Sequence, residues 1–201
     1  MKKKPMVCGV VGACLLSAAA VADSGTSAPP PQLVAKCQSC HGEGGNSTTA
    51  SVPRLNGQKS AYIAKRLNDF FNVASEDPHA TQSMWPVTSQ VRSDAFASLA
   101  QYFASQPPTQ NRPAGPLAES GRRIFAEGIS AEDIQPCQIC HGSYGQGSST
   151  APRLAGQHAD YLQSQLERLR LLMRVSDPMF HNTKKMSDGQ IRALVAFLAA
   201  D

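Results

Sequence analysis

The sequence predicts an all-α protein made of two similar halves. Apolar residues recur at helical spacing, no run reads as a buried parallel strand, and landmark residues repeat at a nearly constant interval. Cys37 and Cys137 are 100 positions apart, whereas Pro53-Arg54-Leu55 and Pro152-Arg153-Leu154, like Tyr62 and Tyr161, are 99 apart. A period of that size marks tandem duplication of one unit.

Taken in order, residues 1–22 read as an export leader. Lys2, Lys3 and Lys4 form its basic region, Met6 to Ala19 an apolar stretch too short to span a bilayer, and Ala20-Val21-Ala22 a small-x-small cleavage site before Asp23. Val11-Gly12-Ala13-Cys14 offers an alternative, lipid-attachment reading. Residues 23–110 form the first unit and 111–201 the second. About fourteen residues separate the cleavage site from Cys37, with Pro29-Pro30-Pro31 among them, which leaves little room for an N-terminal helix in the first unit.

A helix is expected over residues 59–73, with Tyr62, Ile63, Leu67, Phe70 and Phe71 as its apolar stripe. Ser93 with Asp94 should cap a closing helix that buries Phe96, Leu99, Ala100 and Phe103. Residues 105–116 are rich in proline and polar side chains and read as an extended linker. In the second unit, Gly121, Ile124 and Phe125 supply an N-terminal helix, residues 128–136 are an insertion, and a helix over 158–174 carries Tyr161, Leu162, Leu166, Leu169, Leu172 and Met173. Ser187 and Gln190 have the spacing of a capping box ahead of Ile191, Leu194, Val195 and Leu198.

Each unit contains one Cys-x-x-Cys-His: Cys37, Cys40 and His41 in the first, Cys137, Cys140 and His141 in the second. Two thiols so spaced can each form a thioether to one vinyl group of a haem, while the adjacent imidazole reaches the iron from the same side. Two covalently attached haem c groups are therefore expected. A thioredoxin-like dithiol would need a strand leading into the motif, and a zinc site would have to draw ligands from two separate repeats. Loss of the leader removes Cys8 and Cys14, so no cysteine remains for a disulfide.

The formal charge of +4 falls to +1 without the leader, because removing three of the 19 basic residues leaves 16 against 15 acidic ones. Four ionised haem propionates would carry it to −3. Nothing in that balance favours nucleic acid.

With Cys-x-x-Cys-His-Gly, Pro-Arg-Leu-x-Gly-Gln and a closing apolar helix in each half, the mature chain resembles the dihaem cytochrome c4 family. That resemblance implies two tandem class I cytochrome c domains, each wrapped around one covalently bound haem. It implies a soluble or membrane-associated periplasmic electron carrier, with each iron held between His and Met and no substrate transformed. Its partners would be redox proteins: an upstream cytochrome bc-type donor and a terminal haem-copper oxidase.

In the first half the expected thioether ligand is Met84, the only methionine of that half. Alignment of Leu99 with Leu194 and Tyr102 with Phe197 sets Met179 opposite Met84, with Met186 and Met173 as competitors. The resemblance makes the carbonyls of Pro53 and Pro152 the acceptors for the second ring nitrogen of His41 and His141. Arg54, Arg153, Tyr62 and Tyr161 can face propionates, or be solvated or core residues.

Arg168, Arg170, Arg174, Lys184, Lys185 and Arg192 outnumber Asp177 and Asp188 around Met179, a rim expected to dock an acidic partner. An enzymatic alternative, a dihaem peroxidase or sulfur-compound dehydrogenase, would recruit His79, His158 or His181 as a ligand; a further alternative makes the chain the electron-accepting subunit of such an enzyme, or of a respiratory or thiosulfate-oxidising complex.

Overall fold

The computed structural model describes residues 28–73 and 77–199, so the predicted leader lies outside the described residues. In the first half, α1 (Pro31–His41), α2 (Ser60–Phe71), α3 (Pro78–Thr88) and α4 (Phe96–Ser105) follow one another. In the second, α5 (Gly115–Glu127), α6 (Gln138–His141), α7 (Ala159–Arg170), α8 (Asp177–Thr183) and α9 (Asp188–Leu198) do so. The described residues form no strand, only two isolated β-bridges.

The predicted stripes become the cores. Phe96, Leu99, Ala100 and Phe103 are each at most 2% exposed, and α4 packs on α2. Ile191, Leu194 and Leu198 are at most 2% exposed on α9, which packs against α5 and α7. The capping box closes as expected: Gln190 N donates to Ser187 Oγ (3.3 Å) and Ser187 N to Gln190 Oε1 (2.7 Å). Ser93 does not cap. It begins a short 3-10 turn, Ala95 precedes α4 with no side-chain cap, and Asp94 pairs with Arg92 instead.

Both long helices end earlier than periodicity suggested. α2 stops at Phe71 and α7 at Arg170, after which Val73 (φ +54°) and Leu172 (φ +55°), 99 positions apart, turn left-handed. Past α7, the amides of Met173 and Arg174 both donate to Arg168 O, at 2.8 and 3.1 Å, which satisfies a free terminal carbonyl and reverses the chain. Leu172 and Met173 are consequently half exposed rather than core.

The halves differ at their N-terminal ends. In the first, α1 carries the Cys-x-x-Cys-His itself and adds Val34 to a core with Val91, Phe96 and Leu99. In the second, α5 is a separate helix laid across α9. Gly121 makes that crossing possible, because a Cβ there would lie 1.9 Å from Ala193 O. Gly121→Val should cost about 3 kcal/mol by forcing α5 off α9. Equilibrium denaturation of the holoprotein, followed at the second haem, checks this; an unchanged midpoint would contradict it.

Residues 128–136 have a packing role. Ile129 and Ile134 pair in a small loop, Ile134 is 2% exposed in the core beside Phe125 and Met186, and Glu132 accepts from Gln190 Nε2 at 3.0 Å. The extended linker is bolted down along its length. Asn56 Nδ2 donates to Pro107 O (2.8 Å) and Thr109 Oγ1 (3.0 Å), and further along the linker Asn111 Nδ2 donates to Phe197 O (2.9 Å) and Arg112 N to Ala199 O (3.0 Å).

The two halves meet through polar groups. Asp77, 2% exposed at its side chain, caps α3 by accepting from Ala80 N (3.2 Å) and also accepts from Arg168 Nη1 of the other half (3.1 Å). The guanidiniums of Arg66 and Arg174 reach within 3.9 Å of the same carboxylate. Arg174 Nη2 donates to Tyr62 Oη (2.9 Å). Next to it, burial pushes the Tyr161 phenol up to about 12.

Candidate functional site

In each half the thiols lie one helical turn apart, with the first half buried and the second exposed. The histidine that follows ends the helix: His41 is 7% and His141 5% exposed. Gly42 (φ +77°) and Gly142 (φ +78°) then turn the chain away in a conformation that side-chain-bearing residues resist.

His41 Nδ1 lies 2.8 Å from Pro53 O and His141 Nδ1 2.9 Å from Pro152 O. A carbonyl can only accept, so Nδ1 carries the proton in both rings and Nε2 keeps its lone pair. Burial lowers both imidazole pKa values, against the opposing pull of the proline carbonyls. Each ring is thus held neutral, in one tautomer and one orientation, which is the form that ligates a metal.

This arrangement fits a thioether-bound haem: paired thiols, a neutral Nε2 with no competing proton, and apolar side chains left facing outward, such as Ile139 within the second motif (70% exposed) and Trp85 next to Met84 on α3 (45%). When bound, the haem iron supplies the one-electron couple; the chain's part is ligation, orientation and exclusion of water.

Met84 lies on α3 and Met179 on α8, both partly buried. One feature of their surroundings repeats, a buried threonine four residues on. Thr88 Oγ1 donates to Met84 O (3.1 Å), and Thr183 Oγ1 to Met179 O (2.8 Å), with each threonine 1% exposed. Counted in the same register, Met186 corresponds to Val91. Both are core residues: Val91 at 6% exposure with Phe96 and Leu99, Met186 at 4% with Phe125, Ile134 and Ile191. Met173 is 54% exposed beyond the end of α7.

Several secondary expectations are corrected. Arg54 Nη1 donates to Gly156 O (2.9 Å) and Arg153 Nη2 to Thr109 O (3.2 Å), so both guanidiniums are engaged between the halves rather than solvated. The basic rim is smaller than its sequence suggests. Arg168 and Arg174 face Asp77 across the domain junction, and Arg170 pairs with Asp188 at 2.7 Å. Lys184, Lys185 and Arg192 remain exposed. His158, 1% exposed, holds Ser47 O of the first half through Nε2 (2.9 Å), and so serves the junction.

Two attachment pentapeptides, each with an oriented imidazole in its own helical unit, define a dihaem c-type cytochrome. The family model described as Cytochrome c matches residues 118–200. A cytochrome c-552 of Acidithiobacillus ferridurans is 36% identical over 90% of this chain and 81% of its own length. A cytochrome c4 of Thiocapsa roseopersicina is 35% identical over 81% and 85%.

The solved cytochrome c4 structure of Acidithiobacillus ferrooxidans superposes with a TM-score of 0.77 at 34% identity, covering 83% of this chain and all but 1% of that one. A protein named thiosulfate dehydrogenase electron acceptor, from Stutzerimonas stutzeri, is 31% identical over 94% of this chain and 91% of its own length. The chain belongs to the dihaem cytochrome c4 family, carries two covalently attached haem c groups, and exchanges electrons with redox protein partners.

Proposed function

We propose that this protein carries electrons in the periplasm, one at a time per haem, from a cytochrome bc-type donor towards a terminal haem-copper oxidase. His41 and Met84 hold the first iron, and His141 and Met179 the second, in units divided near Asn111. The observation that carries the ligand assignment is the repeated pair Met84–Thr88 and Met179–Thr183, with Met186 in the core position of Val91. Thioether opposite imidazole favours ferrous iron and a high potential, as delivery to an oxidase requires. Among the described residues no helix is long and apolar enough to cross a membrane. Contact with a membrane-bound partner is proposed to be peripheral.

Exposed Lys184, Lys185 and Arg192 give the second unit a small cationic surface for a transient, salt-sensitive encounter. In stopped-flow mixing, the reduced protein should be oxidised by a haem-copper oxidase at a rate that falls with ionic strength. A rate independent of salt would remove the docking surface, and no oxidation would remove the acceptor.

A second reading makes the protein the electron acceptor of a thiosulfate-oxidising enzyme, supported by likeness to the Stutzerimonas stutzeri protein across nearly the whole chain. Thiosulfate-dependent reduction in the presence of such an enzyme, together with failure to take electrons from a bc-type donor, would favour it.

The histidine assignment has its own test. His41→Ala and His141→Ala should each convert one of the two haems from low-spin to high-spin, while both remain thioether-linked. Retention of two low-spin haems would contradict it.

A further inference from the structure

The peptide group that holds each histidine also faces the other half of the molecule. Pro53 C=O accepts from His41 Nδ1 (2.8 Å), and the N–H of that same peptide, belonging to Arg54, donates to Gln157 Oε1 (2.8 Å). In the opposite direction, Pro152 C=O accepts from His141 Nδ1 (2.9 Å), and Arg153 N–H donates to Gln58 Oε1 (2.7 Å). Each glutamine closes the ring with its other group: Gln157 Nε2 donates to Arg54 O (3.0 Å) and Gln58 Nε2 to Arg153 O (2.9 Å). Gln58 and Gln157, 99 positions apart, are 8% and 7% exposed, and each oxygen accepts a second bond from the amide after it, Lys59 or His158.

We propose that Gln58 and Gln157 are positioning residues acting in exchange: each sets the electronic character of the axial histidine in the other domain, through one shared peptide group. An amide whose N–H donates is more polarised, so its oxygen accepts more strongly, and bonds in such a chain reinforce one another. A stronger acceptor at Nδ1–H makes the imidazole a better donor to iron, which favours the ferric state and lowers the potential. Docking of the two domains thereby enters the potential of each haem. This role needs no contact between glutamine and haem. It rests on His41 and His141 as iron ligands, which the two alanine variants above test separately.

Methionine matches glutamine in length and keeps the packing but accepts no comparable hydrogen bond. In holoprotein carrying Gln157→Met, the potential of the His41 haem should rise while that of the His141 haem stays in place; Gln58→Met should do the converse. Paramagnetic NMR assigns each wave, and the Nδ1–H resonance of the affected histidine alone should move as its bond weakens. A shift confined to the haem of the variant's own half, equal shifts at both haems, or no shift at either would overturn the proposal. Amide exchange in the wild-type protein gives a second reading that needs no variant. Protection of the Arg54 and Arg153 amides to the level of the helix cores supports the chain of bonds, and loop-like exchange at either contradicts it.

Discussion

Met179→Ala should remove the sulfur-to-iron charge-transfer absorption of one haem and drop its potential well below that of the other, while Met186→Leu leaves both intact. The reason is positional. Met179 repeats Met84 in its helix, its partial burial and its threonine, whereas Met186 sits where the first half places Val91, at 4% exposure among Phe125, Ile134 and Ile191. Met186→Leu is a near volume-conserving core change and should cost less than about 1.5 kcal/mol of stability. Optical spectra of the two oxidised variants decide the matter. Loss of the band in Met186→Leu, with its retention in Met179→Ala, would reverse the assignment.

Asp77→Ala should be among the most destabilising single changes in the molecule, costing about 3–5 kcal/mol. The carboxylate is 2% exposed and hydrogen-bonded to Arg168, and the guanidiniums of Arg66 and Arg174 lie near it, all three at most 16% exposed. Removing the anion strands buried cations, and it also frees the amide of Ala80 at the start of the Met84 helix. Asp77→Asn keeps the cap but not the charge, so it should fall between alanine and wild type. Denaturant unfolding of the holoprotein measures the loss. A cost under about 1 kcal/mol for Asp77→Ala would show that the arginines find other partners.

How far the sequence discloses this molecule depends on how local each signal is. The attachment pentapeptides, the buried stripes of α4 and α9 and the Ser187–Gln190 box are written in adjacent residues, and they fold as read. Apolar periodicity runs on through Leu172 and Met173 and so overextends α7, while the chain turns left-handed at Leu172, as it does at Val73 after α2. No local signal marks that turn, since glycine is absent.

The same limit hid the junction. Arg168 and Arg174 read in the sequence as part of a docking rim because their partner, Asp77, lies 91 positions before Arg168. Gln58 and Gln157 were visible only as the last letter of a repeated motif, because the peptide each one meets is about a hundred residues away. Repetition was the one long-range signal available. Read down to Thr88 and Thr183, it also favours Met179 over Met186 as the proposed ligand.

A potentiometric titration of the purified holoprotein, followed through its optical spectrum, bears most directly on the central claim that two irons sit between imidazole and thioether in a doubled helical unit. The account predicts two one-electron waves, each accompanied by loss of a sulfur-to-iron charge-transfer band on reduction. Uptake of only one electron per protein, or reduction of a haem without that band, would contradict it.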